Sequence, residues 1–234
     1  MVTITARCHP ALEPILPRPV PAGEALPDWF RAMPATREAD TLGGESVRTL
    51  KHCPPFIDAL SLGLLMPLAA DLTVTAGEVT WAWDPPILED ADIVRAPVGV
   101  HVPEQAEGAP LAPPGGDGSL ILKFTSFWTL AVPEGHSLLF THPLNRPDLP
   151  FRTLAGVVDC DRFADGYVHF PALLDPGFEG VIPAGTPVAQ VIPLPGRETA
   201  LETRAMTGAE TAANRALQAA LGETPGIYRR DHRR

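Results

Sequence analysis

Two carboxylates one residue apart are the side chains of this sequence best suited to chemistry. Asp159 and Asp161 lie in "TLAGVVDCDRFADGYVHF", residues 153–170, directly after a hydrophobic run. If the strand continues through them, both side chains point to one side, because alternate residues of a strand share a face. Such a pair can bind a divalent cation, or one acid can act as a base whose pKa the other raises. The open alternative is a solvated turn in which the acids bond to the local backbone.

A second polar group lies just upstream, in "FTHPLNRPDLPF". His142 follows the strand-like run "SLLFT", and Asn145 and Arg146 come shortly after it. An amide and a planar guanidinium at the end of a strand suit a carboxylate or phosphate ligand. The same side chains would alternatively cap or pin the loop. On the functional interpretation, we expect this segment to lie close to Asp159 or Asp161 around a solvent-reachable pocket.

A third arrangement would be a metal site built from histidines. His136 and His169 could join His142 and an aspartate in a two-His, one-carboxylate iron site, although no H-x-D spacing supports it. A metal-dependent oxidoreductase is therefore an alternative function. The lone His169 within "YVHF" is otherwise a packed side chain.

Short strands must position these residues. The chain carries the strand-like runs "LILKFTSFW", "SLLFTHP", "FRTLAGVVD", "YVHFPALL" and "PVAQVIPL", each bounded by Gly, Pro or Asp. Such spacing predicts a mainly β protein with a sandwich-like or barrel-like body. Upstream, "CPPFIDALSLG" predicts a short helix, and "LTVTAGEVTWAW" predicts a hairpin about Ala76 and Gly77.

The ends of the chain differ from this body. Residues 1–35 are rich in proline and predict either an extended arm packed over the body, anchored by Trp29 and Phe30, or a partly disordered segment. Residues 36–206 are expected to form a single β-rich domain, and residues 207–234 a helix with a basic tail. Thr207 and Glu210 form a capping box that predicts a helix over residues 208–221. A Pro- and Gly-rich loop is expected at residues 102–119.

Composition excludes several classes of function. The net charge of the 234-residue chain is −10, which disfavours nucleic-acid binding, because phosphate binding needs an excess of Lys and Arg. The longest apolar run carries acids and a proline, so no membrane span is expected. The three cysteines are isolated, and the N-terminus lacks a secretory pattern, so we expect a cytoplasmic protein.

Three segments in order resemble the trimeric dUTPase-like fold, which includes dCTP deaminases. "VPEGHSLLFTHPLNR" is similar to the strand that enters the family's phosphate-contacting loop, "LAGVVDCDRF" to its "GVID-x-D-Y" motif, and "VIPAGTPVAQVIPL" to its late strand. The resemblance covers residues 130–194 and implies a β-clip type of body. It also implies that Asp159 positions water, that Gln190 contacts phosphate and that Phe163 takes the aromatic position. The family's Arg-Ser-Gly loop is absent here.

These observations together predict an enzyme that acts on an anionic or phosphorylated small molecule, by hydrolysis. Asp159, Asp161 and His142 are the predicted catalytic residues, and Asn145, Arg146, Gln190 and Phe163 the predicted ligand-binding residues. The cofactor is undetermined, with a divalent cation as the candidate. The resemblance implies a homo-oligomer. The alternative from another class is a non-catalytic assembly protein of the virion type with the same body.

Overall fold

The structure, a computed structural model, describes residues 2–86, 96–101, 105, 121–196, 198–224 and 226–233. One unit of the chain comprises Met1–Ala32 and Asp58–Arg197, and a second comprises Met33–Ile57 and Glu198–Arg234. The predicted loop at 102–119 lies outside the described residues, apart from Gln105. The division into arm, domain and tail stays a prediction.

Strands dominate the described residues, so the mainly β class is confirmed, while the β-clip type stays a prediction. In chain order the strands are β1 (Thr5–Arg7), β2 (Val20–Pro21), β3 (Thr36–Ala39), β4 (Glu45–Arg48), β5 (Leu64–Pro67), β6 (Leu72–Thr75), β7 (Glu78–Trp81), β8 (Val98–Val100), β9 (Ile121–Phe124), β10 (Thr129–Ala131), β11 (His136–Thr141), β12 (Phe151–Thr153), β13 (Gly156–Val158), β14 (Phe170–Leu174), β15 (Gly180–Ile182) and β16 (Pro187–Pro195). The α-helices are α1 (Asp28–Ala32), α2 (Pro54–Ser61) and α3 (Gly208–Glu223). Within the described part of the chain, no helix is both long and apolar enough to cross a membrane.

The sheets of the first unit are antiparallel. The largest has the strand order β13-β11-β16-β5-β2, and a second has the order β12-β14-β9-β8. A three-stranded sheet has the order β15-β6-β7, and β1 pairs with β10. In the second unit, β3 pairs with β4. Strand β11 lies between β13 and β16, so it connects the two segments that the sequence analysis singles out.

Alternation of apolar residues explains why the strands pack as they do. In β6, Leu72 and Val74 are buried while the alternate residues Thr73 and Thr75 are exposed. The sheets enclose one large apolar cluster, in which Phe124 and Phe151 make an edge-on contact with ring centroids 4.8 Å apart. Burying a side chain of this size contributes about 1.5–3 kcal/mol. The core thus comes from residues on strands, in agreement with the predicted class.

Local signals predicted the turn and the C-terminal helix correctly. Ala76 and Gly77 join β6 to β7 with φ angles of 51° and 79°, the left-handed geometry that a two-residue hairpin requires. In α3, both hydrogen bonds of the capping box between Thr207 and Glu210 are present. The helix continues to Glu223, two residues beyond the predicted end. The short helix predicted in "CPPFIDALSLG" is α2.

Two of the five predicted runs differ in extent from the observed strands. In "LILKFTSFW", β9 ends at Phe124 and β10 begins at Thr129, after the run. The Ser126 side chain bonds to the backbone at Trp128 and interrupts the extended chain between them. "FRTLAGVVD" divides into β12 and β13, which belong to different sheets. The Leu154 backbone N–H still donates to the carbonyl of Pro171 on β14, whereas from Gly156 onward the chain pairs with β11. This change of sheet is decided by strands that are distant in the sequence, so the local alternation of apolar residues does not reveal it.

The proline-rich N-terminal segment is part of the first unit's packing. Leu12, Leu16 and Phe30 are buried. The Trp128 indole N–H donates to the carbonyl of Pro17, and the Trp29 indole N–H donates to Asp148. The second of these bonds brings the segment to the polar residues after β11.

Candidate functional site

His142, directly after β11, is half-buried as a neutral ring. The Thr153 backbone N–H donates to its Nδ1 at 3.3 Å, so the proton lies on Nε2, which donates to the carbonyl of Arg146 at 3.0 Å. Burial is the main cause that lowers the pKa of His142 below its ordinary value, with the nearby arginine charges contributing. Both ring nitrogens are therefore used to hold the 142–146 turn against β12. This matches the loop-pinning alternative for His142.

Asn145 and Gln190 also shape this turn. Asn145 is exposed and has a φ of 56°, a left-handed conformation that asparagine tolerates better than most residues. Gln190, on β16, is only 1% exposed. Its Oε1 accepts from the Leu144 N–H at 2.7 Å, and its Nε2 donates to the carbonyls of Ala59 and Leu62. Gln190 thus connects the turn to the end of α2.

Arg146 is held in one orientation by Asp148. Its Nε donates to both carboxylate oxygens at 3.0 and 3.2 Å, and its Nη2 donates to Oδ2 at 2.9 Å. The Trp29 indole N–H donates to Oδ1 at 3.1 Å. Burial raises the pKa of Asp148, but the hydrogen bonds and charge of Arg146 and the bond from Trp29 outweigh it, so the pKa lies below its ordinary value. Among the described residues, Nη1 of Arg146 makes no hydrogen bond, so that edge of the guanidinium can still donate to a ligand.

Asp159 and Asp161 lie in a turn instead of a strand, because β13 ends at Val158. The Ser137 hydroxyl donates to Asp159 Oδ1 at 2.6 Å, and the Gly135 backbone N–H donates to Asp161 Oδ2 at 3.0 Å. Both acids therefore fix the turn that leads into β11. Cys160 between them is buried, and burial together with the two acid charges raises its thiol pKa to about 11. It packs as a small apolar residue.

Phe163 covers the same turn from outside. Its ring is 48% exposed, and a Cβ added at Gly166 would collide with it. The backbone N–H groups of Arg162 and Phe163 both donate to the Asp159 carbonyl, which closes the turn. Phe163 therefore contacts the loop that it belongs to while about half of its surface is exposed.

The two predicted segments lie at opposite ends of β11. Asp159 reaches Ser137 at the start of the strand, whereas His142 follows Thr141 at its end. At about 3.3 Å per residue, five residues separate these points by about 16 Å. Within one chain, β11 therefore keeps the Ser137 and His142 positions apart, and convergence of the two segments stays a prediction. The resemblance that motivated it leaves convergence between different copies open.

In the described part of the chain, no group of three or more His, Cys, Asp or Glu side chains is arranged so that it could hold a metal ion. His169 Nδ1 accepts from the Ser126 N–H, and His136 Nδ1 lies 3.2 Å from the Glu134 carbonyl. Neither ring joins His142, which is fixed beside β12. The iron site considered as an alternative is not assembled from these histidines.

A cleft of about 300 Å³ lies beside Arg146 in the first unit. Two more arginines line it, Arg18 and Arg31, together with an apolar wall that includes Leu26 and Leu65. Sequence reasoning identified Arg146 but missed Arg18, Arg31, Asp148 and Trp29. The R-x-D spacing in "NRPDL" was the one local signal for the Arg146 and Asp148 pair. The other arginines lie far away in sequence, so only the fold brings them to the cleft.

No protein-family model matches the chain, and no curated protein is significantly similar to it. The resemblance to the dUTPase-like family therefore stays a prediction, and function has to be argued from the geometry.

Proposed function

We propose that the chain binds an anionic small molecule in the cleft beside Arg146. The observation that carries the proposal is the guanidinium of Arg146, whose side chain is 13% exposed and fixed by Asp148 while Nη1 remains available. A planar donor fork held in advance suits a carboxylate or phosphate, because little side-chain entropy is lost on binding. Arg18 and Arg31 line the same cleft and bring two further guanidinium groups, each with an acid nearby.

Hydrolysis of the bound molecule is the enzymatic form of this proposal. Asp159 would position water or a cation, as the sequence suggests, while Arg146 holds the anion. Since these residues lie at opposite ends of β11, that reaction requires Asp159 to come from another copy of the chain. Binding alone requires no second copy, and it is the form that the geometry supports best.

A thermal-shift screen of phosphorylated and carboxylated metabolites tests the binding proposal. A ligand at 100 times its Kd stabilises a protein by about 2.7 kcal/mol, which raises Tm by roughly 2–4 °C per kcal/mol for a chain of this size. We expect at least one anion to give this shift with the wild type and with Arg162→Met, and to give none with Arg146→Met. Arg162 is an exposed arginine outside the cleft, so it controls for the loss of one charge. Equal shifts in both variants would refute the proposal.

A second candidate function, assembly, is favoured by helix α3. The helix is described in full and contains no buried residue, although Leu217, Ala220 and Leu221 share an apolar face. Most helices in proteins are stabilised by packing of such a face. We expect light scattering after size exclusion to give a homo-oligomer for the full chain and a smaller species for Leu217→Lys. A monomer at all accessible concentrations would exclude this candidate.

A further inference from the structure

We infer that the cleft selects a singly charged organic acid with an apolar body over a polyphosphate. This inference rests on the anion-binding function proposed above and names the chemical class of its ligand. Three features of the cleft support it: its net charge, the geometry of its single rigid donor and the composition of its walls.

The arginines of the cleft are each accompanied by an acid. Nη2 of Arg18 lies 2.8 Å from Glu13, and Nη1 of Arg31 lies 4.0 Å from Asp28. Arg146 has Asp148 at 2.9 Å. The local net charge is therefore close to zero, within a chain whose overall charge is −10. A ligand with three or four negative charges would meet repulsion from these acids and from the whole protein, whereas one negative charge meets little.

Of the three arginines of the cleft, Arg146 is the one whose guanidinium is held rigidly, so the cleft can bind one anionic group in a fixed orientation. Arg146 is fixed at two positions of its guanidinium, while the side chains of Arg18 and Arg31 are 71% and 56% exposed. Exposed ion pairs of that kind contribute about 0–1 kcal/mol and hold their side chains loosely. The remaining N–H groups of Nη1 and Nη2 form one edge of the Arg146 guanidinium, which matches one carboxylate in a bidentate arrangement. A chain of phosphates would need further rigid donors.

Apart from the three arginines and Asp28, the walls of the cleft are largely apolar. They include Val20, Leu26, Pro27, Leu65, Pro67 and Pro187. With a volume of about 300 Å³, the cleft is at the small end of the range for ligand sites. An aliphatic chain of a few carbons would bury its CH₂ groups against these residues while its carboxylate meets Arg146.

A chain-length series of carboxylates tests the inference with the full-length protein. The probes are acetate, butyrate and hexanoate, compared with pyrophosphate and tripolyphosphate, in chemical-shift titrations at constant ionic strength. We expect Kd to fall about fourfold for each added CH₂, since burying one CH₂ contributes roughly 0.8 kcal/mol. Hexanoate should bind at least tenfold more tightly than tripolyphosphate.

Two variants test separately the contact of the ligand's carboxylate with Arg146 and the contact of its aliphatic chain with the apolar wall. Arg146→Met should weaken every carboxylate at least tenfold, while Arg162→Met should change none. Leu26→Ser should weaken hexanoate several-fold and leave acetate unchanged. Because Leu26 is only partly buried, this variant keeps the test valid if Arg146→Met fails to fold.

Different outcomes contradict the inference and the proposed function. Tighter binding of tripolyphosphate than of hexanoate, lost in Arg146→Met, would overturn the inference and leave the anion-binding function standing. A Kd that does not change with chain length would also overturn the inference. Binding of all probes unaffected by Arg146→Met would overturn both.

Discussion

Replacing Gln190 tests whether this residue contacts a ligand or supports the fold. The resemblance to the dUTPase-like family assigns it to phosphate, whereas its side chain bonds to the backbone of Leu144, Ala59 and Leu62. With 1% exposure, it has no surface to offer a ligand. We therefore expect substitution to reduce stability first, and to affect binding only through the displaced turn.

The size of the effect follows from the hydrogen bonds. Gln190→Leu removes three bonds, each contributing about 1 kcal/mol net, and leaves one N–H and two carbonyls without this partner. An unsatisfied buried group costs about 1–3 kcal/mol, so we expect a loss of about 3–5 kcal/mol after some rehydration. That is a large part of the total stability of about 5–15 kcal/mol typical of domains.

Gln190→Glu adds a pH dependence to the same test. An ionised glutamate still accepts from Leu144 but faces the carbonyls of Ala59 and Leu62 without a proton to donate. Burial and these carbonyls raise its pKa in the folded state, so the native protein binds more protons than the unfolded chain. The stability of this variant should therefore fall as pH rises above the unfolded value of about 4.3.

Urea unfolding followed by circular dichroism measures both variants. Gln218→Leu is the matched control, since Gln218 lies exposed on α3, and we expect it to change stability by less than about 0.5 kcal/mol. A loss below about 1 kcal/mol for Gln190→Leu would refute a structural role. If anion binding disappeared in that same stable variant, the assignment from the family resemblance would be the correct one.

Three further predictions test the local structure around the candidate site by urea unfolding. Gly63→Ala should cost at least about 3 kcal/mol, because φ is +70° and the new Cβ would collide with a carbonyl oxygen of β16. Gly77→Ala, also at positive φ but with open space around it, should cost about 1–2 kcal/mol, and equal losses would refute the clash. Because the pKa of His142 is lowered in the folded state, the unfolded chain binds this proton more readily than the folded chain does. Wild-type stability should therefore fall as pH drops below 6.5, and His142→Asn should make stability depend less on pH in that range. Asp159→Ala should cost about 1–2 kcal/mol and should couple to Ser137→Ala by about 1 kcal/mol in a double-mutant cycle. Additive losses would show that their bond contributes nothing.

Much of the fold could be predicted because the signals are local. The alternation in "LTVT" places Leu72 and Val74 in the core, and the capping box at Thr207 and Glu210 marks the start of α3. The change of sheet between β12 and β13 could not be predicted, because it is decided by partners far away in the sequence. β12 pairs with β14, and β13 pairs with β11.

The candidate site was predicted less well for the same reason. His142, Gln190 and Asp159 have residue types that suit chemistry, but the fold uses their polar atoms as fixed partners of the backbone or of Ser137. A polar residue after a strand can either bind a ligand or stabilise the fold, and which role it has depends on the groups that it forms hydrogen bonds with in the structure. Arg18 and Arg31 have no distinguishing pattern in sequence, and the cleft exists only after the N-terminal segment packs beside Arg146.

The proposed hydrolysis needs residues from both ends of β11. An acid and a base that act on one bond must both lie within hydrogen-bond reach of the reacting atoms. Ser137, which binds Asp159, and His142 of one chain are separated by about 16 Å along the strand, so Asp159 and His142 do not lie around one reacting bond. Placing Asp159 of one copy beside Arg146 of another removes the obstacle, and it makes hydrolysis depend on association while binding in the cleft does not. A monomeric protein that binds carboxylates would therefore retain the binding function and lose the catalytic one.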